Sequence, residues 1–203
     1  MWWRVSRSVR RFRKDSQWAY CKRAPGYFDQ FDQRGYPFNL GRVRNMAHDV
    51  LQGTVEGHEV TLLHHVAVCT RDSGPSGAVW REYSVAVLTL PSSLPAVAAA
   101  FRLLAQDHVG RKLPVIPPSA GVCQDLPGGA PGALVYRCAV DAEFGRRLMT
   151  EQVKELTFAA EVGWRIEGDR LIGWQRGRRT YEDMIDMTRA LIAVVAAFPQ
   201  DVW

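Results

Sequence analysis

The sequence predicts an α+β fold, in which a mainly antiparallel sheet is covered by helices that include a long C-terminal one. Two groups of β-rich segments indicate the sheet, an N-terminal meander and a later hairpin. The helices are indicated mainly by the last part of the chain, where apolar residues recur with the period of an α-helix. With 203 residues, 47% of them hydrophobic, the chain is long enough to bury one ordinary core.

Residues 1–17 are predicted to form a basic amphipathic arm ahead of a single α+β domain at 18–203. One side of this helix carries four apolar residues, Trp2, Val5, Val9 and Phe12. The opposite side carries five basic residues, Arg4, Arg7, Arg10, Arg11 and Lys14. Trp3 falls among the basic residues and interrupts the pattern. The arm is therefore typical of a helix that lies on an anionic membrane surface.

The net charge of the protein is concentrated in this arm. The chain carries a formal net charge of +5, and the six basic residues and one acid of the first eighteen positions account for all of it. Besides membrane binding, two other uses of such an arm remain open. Its apolar side can pack on the protein's own body, or its basic side can neutralise nucleic-acid phosphates.

The segment from Val50 to Leu90 is predicted to form a three-stranded meander. Val50 to Val55 and His58 to Val68 flank Glu56-Gly57, which suits a tight turn. A polar loop from Thr70 to Ala78 leads to the third strand, Val79 to Leu90, which Pro91 is expected to end.

The middle of the chain contains two segments for which the sequence leaves two structures open. Leu94 to His108 has both helical spacing and strand-forming neighbours, so helix and strand both remain open. The Pro/Gly-rich stretch near 114–132 is either a long loop or the join between two halves of the domain. A strand is predicted at Ala133 to Val140.

Three elements are predicted after this strand. Asp141 is expected to cap a helix that continues as far as Leu156. Trp164 to Trp174 is expected to be a hairpin that turns near Gly168-Asp169. Thr180 and Asp183 resemble a capping box that opens the final helix, which ends near Phe198-Pro199.

A second basic cluster, Arg176, Arg178 and Arg179, lies in the loop before the final helix. If it lies on the same side as the arm, the two clusters form one footprint for an anionic surface.

No catalytic, cofactor or metal site is predicted. His64 and His65 point to opposite faces of a strand, so His64 is expected to be a structural core residue, and His48 beside Asp49 an ordinary exposed pair. Gly-x-Ser-x-Gly is absent, and the glycine-rich run 127–132 lacks the lysine of a P-loop. The four cysteines show no C-x-x-C spacing, which indicates reduced thiols in a cytoplasmic protein.

Several short motifs, taken in order, resemble an uncharacterised family of actinobacterial proteins. They are Trp18-Ala-Tyr20, Tyr36-Pro-Phe38 with Gly41, Val50-Leu-Gln-Gly53 with Glu56-Gly57, Leu90-Pro91 with Leu94-Pro95, Val135 to Phe144, Trp164 to Trp174 and Phe198-Pro199. The resemblance implies a soluble α+β domain, often preceded by membrane spans, with no assigned activity or catalytic residues. This chain has no apolar run of the ~20 residues that a span needs. We therefore expect either peripheral attachment or a start that lies upstream.

These observations predict a noncatalytic scaffold or protein-binding module at the cytoplasmic membrane surface, with an anionic membrane and an unidentified protein as partners. The alternative is a nucleic-acid-associated protein that uses the same arm. An enzyme with a dispersed site is the third hypothesis, and a deep polar pocket with perturbed carboxylates or histidines would reveal it.

Overall fold

Seven antiparallel strands form one sheet at the centre of the computed structural model, which describes residues 2–40, 44–70, 78–101, 115–126 and 135–203. The strands are β1 (Ala19–Arg23), β2 (Arg44–Val55), β3 (His58–Thr70), β4 (Ala78–Leu94), β5 (Val97–Phe101), β6 (Val135–Ala139) and β7 (Gly163–Arg176). Their order across the sheet is β1-β2-β3-β4-β7-β5-β6. Strands from before and after the Pro/Gly-rich stretch thus share one sheet, and the α+β prediction is confirmed.

Four α-helices accompany this sheet in the described residues: α1 (Trp2–Phe12), α2 (Ala142–Leu148), α3 (Glu151–Ala160) and α4 (Tyr181–Ala196). Thr180 and Asp183 form the predicted capping box, which satisfies free N–H groups at the start of α4. The segment after Asp141 forms two helices instead of one, because Thr150 caps a new helix after the break at Met149.

Apolar side chains cover both faces of the sheet. On one face, α4 packs over the strands, and Gly173 allows this approach because an added Cβ would collide with Leu191. On the other face, the segments 27–38 and 115–120 supply the cover, with Phe28, Phe38 and Ile116 buried against the strands. The two-sided cover explains the uninterrupted apolar sequence of β5, where Val97 to Ala100 are fully buried.

The predicted meander is confirmed. β2, β3 and β4 pair in sequence, and the turn between β2 and β3 has positive φ at both Glu56 (50°) and Gly57 (82°), as a tight hairpin turn requires. The polar loop Thr70 to Ala78 lies mostly outside the described residues. Residues 97–101 of the ambiguous segment form a strand, and its residues 102–108 also lie outside the described part.

Two strand predictions are wrong. β4 continues past Pro91 to Leu94, because Pro91 lies where the pairing of β4 with β7 is interrupted and its missing N–H breaks no ladder bond. Trp164 to Trp174 is one long strand, not a hairpin. Its first half pairs with β5 and its second half with β4, so Gly168, at φ 61°, marks an irregularity and not a reversal.

Candidate anionic-surface interface

The apolar side of α1 is packed on the body of the protein. Val5 and Phe12 are 4% and 6% exposed, and Val9 is partly buried against the same core. The ring of Phe12 meets the ring of Tyr181 edge-on at 5.3 Å and that of Trp18 at 6.0 Å between centroids. Assigning Val5 and Phe12 to a membrane face is therefore corrected, because their surface is already covered by the protein. The side chain of Trp2 lies outside the described part.

A polar contact fixes α1 to the start of α4. The hydroxyl of Ser8, 4% exposed, accepts a hydrogen bond from the backbone N–H of Tyr181 at 2.9 Å and donates one to the carboxylate of Glu182. Arg11 pairs with the same carboxylate at 3.1 Å. Ser8 thus satisfies an N–H group that the first turn of a helix otherwise leaves unpaired. No sequence pattern singled out Ser8, because its partner lies 173 residues away.

The solvent-facing side of α1 is basic and includes an aromatic residue. All five basic residues predicted for this side, Arg4, Arg7, Arg10, Arg11 and Lys14, are exposed. Only Arg11 among them has an ion pair in the described part of the structure. Trp3 is 65% exposed and lies on the same side, so the residue that interrupted the amphipathic pattern forms part of the exposed surface.

The second basic cluster is divided by the fold. Arg178 turns inward and pairs with the carboxylate of Asp49, whereas Arg176 and Arg179 are exposed. Ser84 holds the backbone of this loop, because its hydroxyl donates to Gly177 O at 3.0 Å and accepts from Arg179 N at 2.8 Å. Arg178 is therefore unsuitable as a surface contact, since its charge is used inside the protein.

The loop and the arm meet at a shallow cleft between α1 and α4. The cleft has a volume of about 430 Å³ and is lined by Trp3, Arg4 and Arg7 from α1 and by Thr180 and Glu182 from the other side. Of the loop that carries the second basic cluster, Thr180 lines this cleft, whereas Arg176, Arg178 and Arg179 do not, so a single footprint shared by the two clusters stays a prediction. The two acids of the first turn of α4 reduce the positive charge inside the cleft, so the outer side of α1 is the more strongly basic surface.

A buried charge cluster lies behind this loop, and it corrects the expectation that Asp49 is exposed. Asp49 is 8% exposed and stands at a bulge in β2 with φ 48°. Its carboxylate accepts a hydrogen bond from the hydroxyl of Tyr20 at 2.7 Å and pairs with Arg178, while its backbone carbonyl accepts from the hydroxyl of Tyr181. The bulge turns this side chain into the protein, which strand alternation alone does not predict.

The charge on Asp49 is well stabilised. Burial by itself would raise the pKa of Asp49, but the contacts with His64 and Tyr20 and the charge of Arg178 outweigh it and lower the pKa to about 2. Burial, together with the hydrogen bond to Asp49, raises the pKa of Tyr20 well above its usual value. The cluster links β1, β2 and β3 to the segment before α4.

His64 and His65 are both fully buried and point to opposite faces of the sheet, as predicted. Nε2 of His64 donates to the carbonyl of Arg179 at 2.8 Å, and its Nδ1 lies 3.7 Å from the Asp49 carboxylate, so the structural interpretation of His64 is confirmed. Within the described ranges, no three His, Cys, Asp or Glu side chains come together as metal ligands would.

The cysteine prediction is wrong for one pair. Cys123 and Cys138 form a disulfide, with 5.8 Å between their Cα atoms, while Cys21 is free and exposed. An isolated bridge between Gln124 and Ala139 aligns the two segments side by side. No sequence pattern indicates this pair, because its separation of 15 residues fits no short cysteine motif.

Among the described residues, no helix is both long enough and apolar enough to span a membrane. No protein-family model and no curated relative matches the chain. The chain is similar in structure to the mycobacterial trehalose monomycolate transport factor A, TtfA, with a TM-score of 0.62, 15% identity and 96% of each chain covered. At this identity the similarity shows a shared fold. The similar protein is actinobacterial, as are the proteins that the sequence motifs resemble.

Proposed function

We propose that this protein is a noncatalytic module that attaches to an anionic membrane surface through the exposed side of α1. The observation that carries the proposal is the combination, on one solvent-facing side, of exposed Trp3 with Arg4, Arg7, Arg10, Arg11 and Lys14. Basic residues are attracted by anionic headgroups, and tryptophan favours the boundary between headgroups and acyl chains.

The packing of α1 changes how the attachment works. Because Val5 and Phe12 are buried in the body, the arm does not insert an apolar stripe into the membrane. Attachment is instead electrostatic, with Trp3 as the apolar contact, and the body is held close to the surface by the α1–α4 contact. Such binding is weakened by salt, since surface charges are screened over about 10 Å at ordinary ionic strength.

The similar structure supports a noncatalytic role. It is that of a protein named as a trehalose monomycolate transport factor, and a transport factor needs no catalytic site. We infer that the present chain likewise serves transport and belongs to an actinobacterial family. The motifs quoted from the sequence favour the family, and the shared fold favours the role in transport.

Attachment through a basic helix needs a negative surface potential, which anionic lipids create at the cytoplasmic face of the membrane. The Cys123–Cys138 disulfide favours an oxidising compartment and argues for the opposite face. Trapping thiols with an alkylating agent in intact cells distinguishes the two. Alkylated Cys123 and Cys138 support the cytoplasmic face, and a protected disulfide would place the protein on the other side.

The membrane proposal is tested by cosedimentation with vesicles of phosphatidylglycerol and, separately, of phosphatidylcholine. The intact chain should bind the anionic vesicles only, and the double variant R4Q/R7Q should bind them about 30-fold more weakly, because each arginine contributes about 1 kcal/mol near the surface. Trp3→Ser should also weaken binding without changing the charge.

The matched control is R146Q/R147Q, which removes two exposed arginines from α2 and should leave vesicle binding unchanged. Equal losses in the two double variants would contradict the proposal, as would a failure of the intact chain to bind anionic vesicles at low salt. Salt-dependent binding of duplex DNA that is unaffected by Trp3→Ser, without vesicle binding, would favour the nucleic-acid alternative instead.

A further inference from the structure

Part of the edge of the sheet is left open by β1. This strand pairs with β2 only over residues 48–52, and the last contact beyond them is a hydrogen bond from Ala24 N to Ala47 O at 3.2 Å. The chain then turns away at Pro25-Gly26 into a short 3₁₀ helix. Within the described residues, no strand pairs with Arg44–Met46 on this side of β2.

A cleft of about 700 Å³ opens where β1 leaves β2. The five consecutive residues 44–48 all line it, together with Arg23 and Trp80. Successive side chains of a strand point to opposite faces, so five consecutive residues share one cleft only along the edge of the strand. Because Ala47 O points to this side, strand alternation places the backbone N–H and C=O of Asn45 on the same side.

The strand is held in a fixed position at this edge. The side-chain amide of Asn45 donates to Phe38 O at 2.9 Å, and its oxygen accepts from Nε2 of His65 at 2.9 Å. The backbone that faces the cleft is therefore ready to pair with an extended peptide, without a change of conformation that would weaken binding.

The charges around the cleft indicate what kind of peptide it takes. Arg23 and Arg44 line it, and neither has an acidic partner among the described residues; the acid on its wall, Asp29, accepts a hydrogen bond from Gln33 at 3.2 Å. Trp80 is 62% exposed and offers a large apolar contact. A second copy of this chain fits poorly, because edge-to-edge pairing would bring the arginines of both copies onto one short edge.

We propose that the open edge of β2 at Arg44–Met46 binds an extended segment of a partner protein by strand addition, and that this segment alternates acidic and apolar residues. The acidic residues face Arg23 and Arg44, and an apolar residue contacts Trp80. This site is separate from α1, so it gives the membrane-attached module a means to recruit a protein while the basic helix remains on the surface.

The test uses a fluorescent synthetic peptide of alternating Glu and Val residues with the intact protein, followed by anisotropy and by amide chemical shifts. We expect saturable binding, with shift changes confined to Arg23–Gly26, residues 44–48 and the indole of Trp80. Arg44→Glu should weaken binding about tenfold or more, because it reverses a charge at the site. Trp80→Ala should also weaken it.

Three controls make the result specific. A Lys/Val peptide should not bind, and a Glu/Val peptide with N-methylated backbone should bind weakly because it cannot donate to the edge. The variants R146E and R4Q/R7Q should bind the peptide normally, which separates this site from the membrane surface. Binding that is indifferent to Arg44→Glu and Trp80→Ala, shift changes elsewhere, or dimerisation of the free chain through this edge would each overturn the proposal.

Discussion

At the residue scale, His65 is a buried core residue whose protonation would destabilise the folded protein. Its ring is enclosed by aromatic neighbours, with Phe28, Phe38 and Tyr83 at centroid distances of 5.0, 5.4 and 6.0 Å. Nε2 is bonded to Asn45, but Nδ1 is buried without a partner among the described residues. Burial lowers the pKa of His65 to about 3, because a protonated Nδ1 would place a charge in this apolar surrounding.

We expect His65 to make the protein less stable in mild acid. Between the folded pKa of about 3 and the unfolded value of 6.5, the unfolded chain binds more protons, so the free energy of unfolding falls as the pH drops below 6.5. The loss between about pH 7 and about pH 5 should be about 1–2 kcal/mol. Urea unfolding at the two pH values measures it. His65→Phe should flatten the pH dependence over this range, and an unchanged dependence in that variant would assign it to other groups.

Asp49 is a second residue whose substitution should change the free energy of unfolding. Asp49→Asn preserves the shape of the side chain but leaves the guanidinium of Arg178 without this carboxylate in a partly buried position. We expect a loss of about 2–3 kcal/mol in the free energy of unfolding. Asp169→Asn, at an exposed acid that pairs with Arg170 at 3.6 Å, should change it by less than about 0.5 kcal/mol. Similar losses in both variants would show that the cluster has no special role.

At the element scale, α1 has two sides with different functions. The buried side joins the helix to α4 through Phe12 and Ser8, and the exposed side is the proposed membrane surface. Periodicity in the sequence separates the two sides correctly, because an amphipathic helix has one apolar stripe whatever covers it. Periodicity does not identify the residues that pack on this stripe, because Tyr181 and Trp18 contact Phe12 only in the folded chain.

Phe12→Ala should therefore destabilise the protein. Removing a buried ring leaves a cavity between α1 and α4, and we expect a loss of about 3 kcal/mol in the free energy of unfolding. Trp3→Ala, on the exposed side of the same helix, should change it by less than about 0.5 kcal/mol. Thermal and urea unfolding of both variants measure the difference. If Phe12→Ala leaves the free energy of unfolding unchanged, α1 is detached from the body in solution.

β7 shows why element type is easier to predict than element pairing. Its apolar and aromatic residues identify a β-rich segment, and Gly168-Asp169 looks like the turn of a hairpin. Yet Arg165 pairs with Ala98, and Trp174 with Val85, so the two halves pair with different strands. One continuous strand is favoured over a hairpin by hydrogen bonds to β4 and β5, which are remote from β7 in sequence. Local turn residues do not encode these partners.

At the scale of the whole molecule, the disulfide is the tertiary link with the clearest energetic consequence. It closes a loop of 15 residues between the segment before Gln124 and β6. Replacing both cysteines by serine should lower the free energy of unfolding by about 3 kcal/mol, mainly because the unfolded chain becomes less constrained. Cys21→Ser, at the exposed free cysteine, is the control and should leave the free energy of unfolding unchanged. Equal stability with and without reductant would show that the bond does not form in the purified protein.

The two proposed surfaces lie at different places on the molecule. The membrane surface is the exposed side of α1, and the peptide site is the open edge of β2 beside Arg23 and Trp80. The sequence indicated the first, because its charges are contiguous along the chain. It gave no indication of the second, because an open strand edge exists only relative to the strands that fail to cover it.

The sequence by itself determined the α+β class, the β2–β3–β4 meander, the capped final helix and the two-sided character of α1. These features depend on residues within a few positions of one another, and local periodicity, turn geometry and capping bonds decide them. Only the tertiary structure decided the pairing of β7, the burial of Asp49 with Arg178, the Cys123–Cys138 bond and the open edge of β2. Each of these brings together groups that are distant in the chain, so their contacts depend on how the whole sheet is assembled.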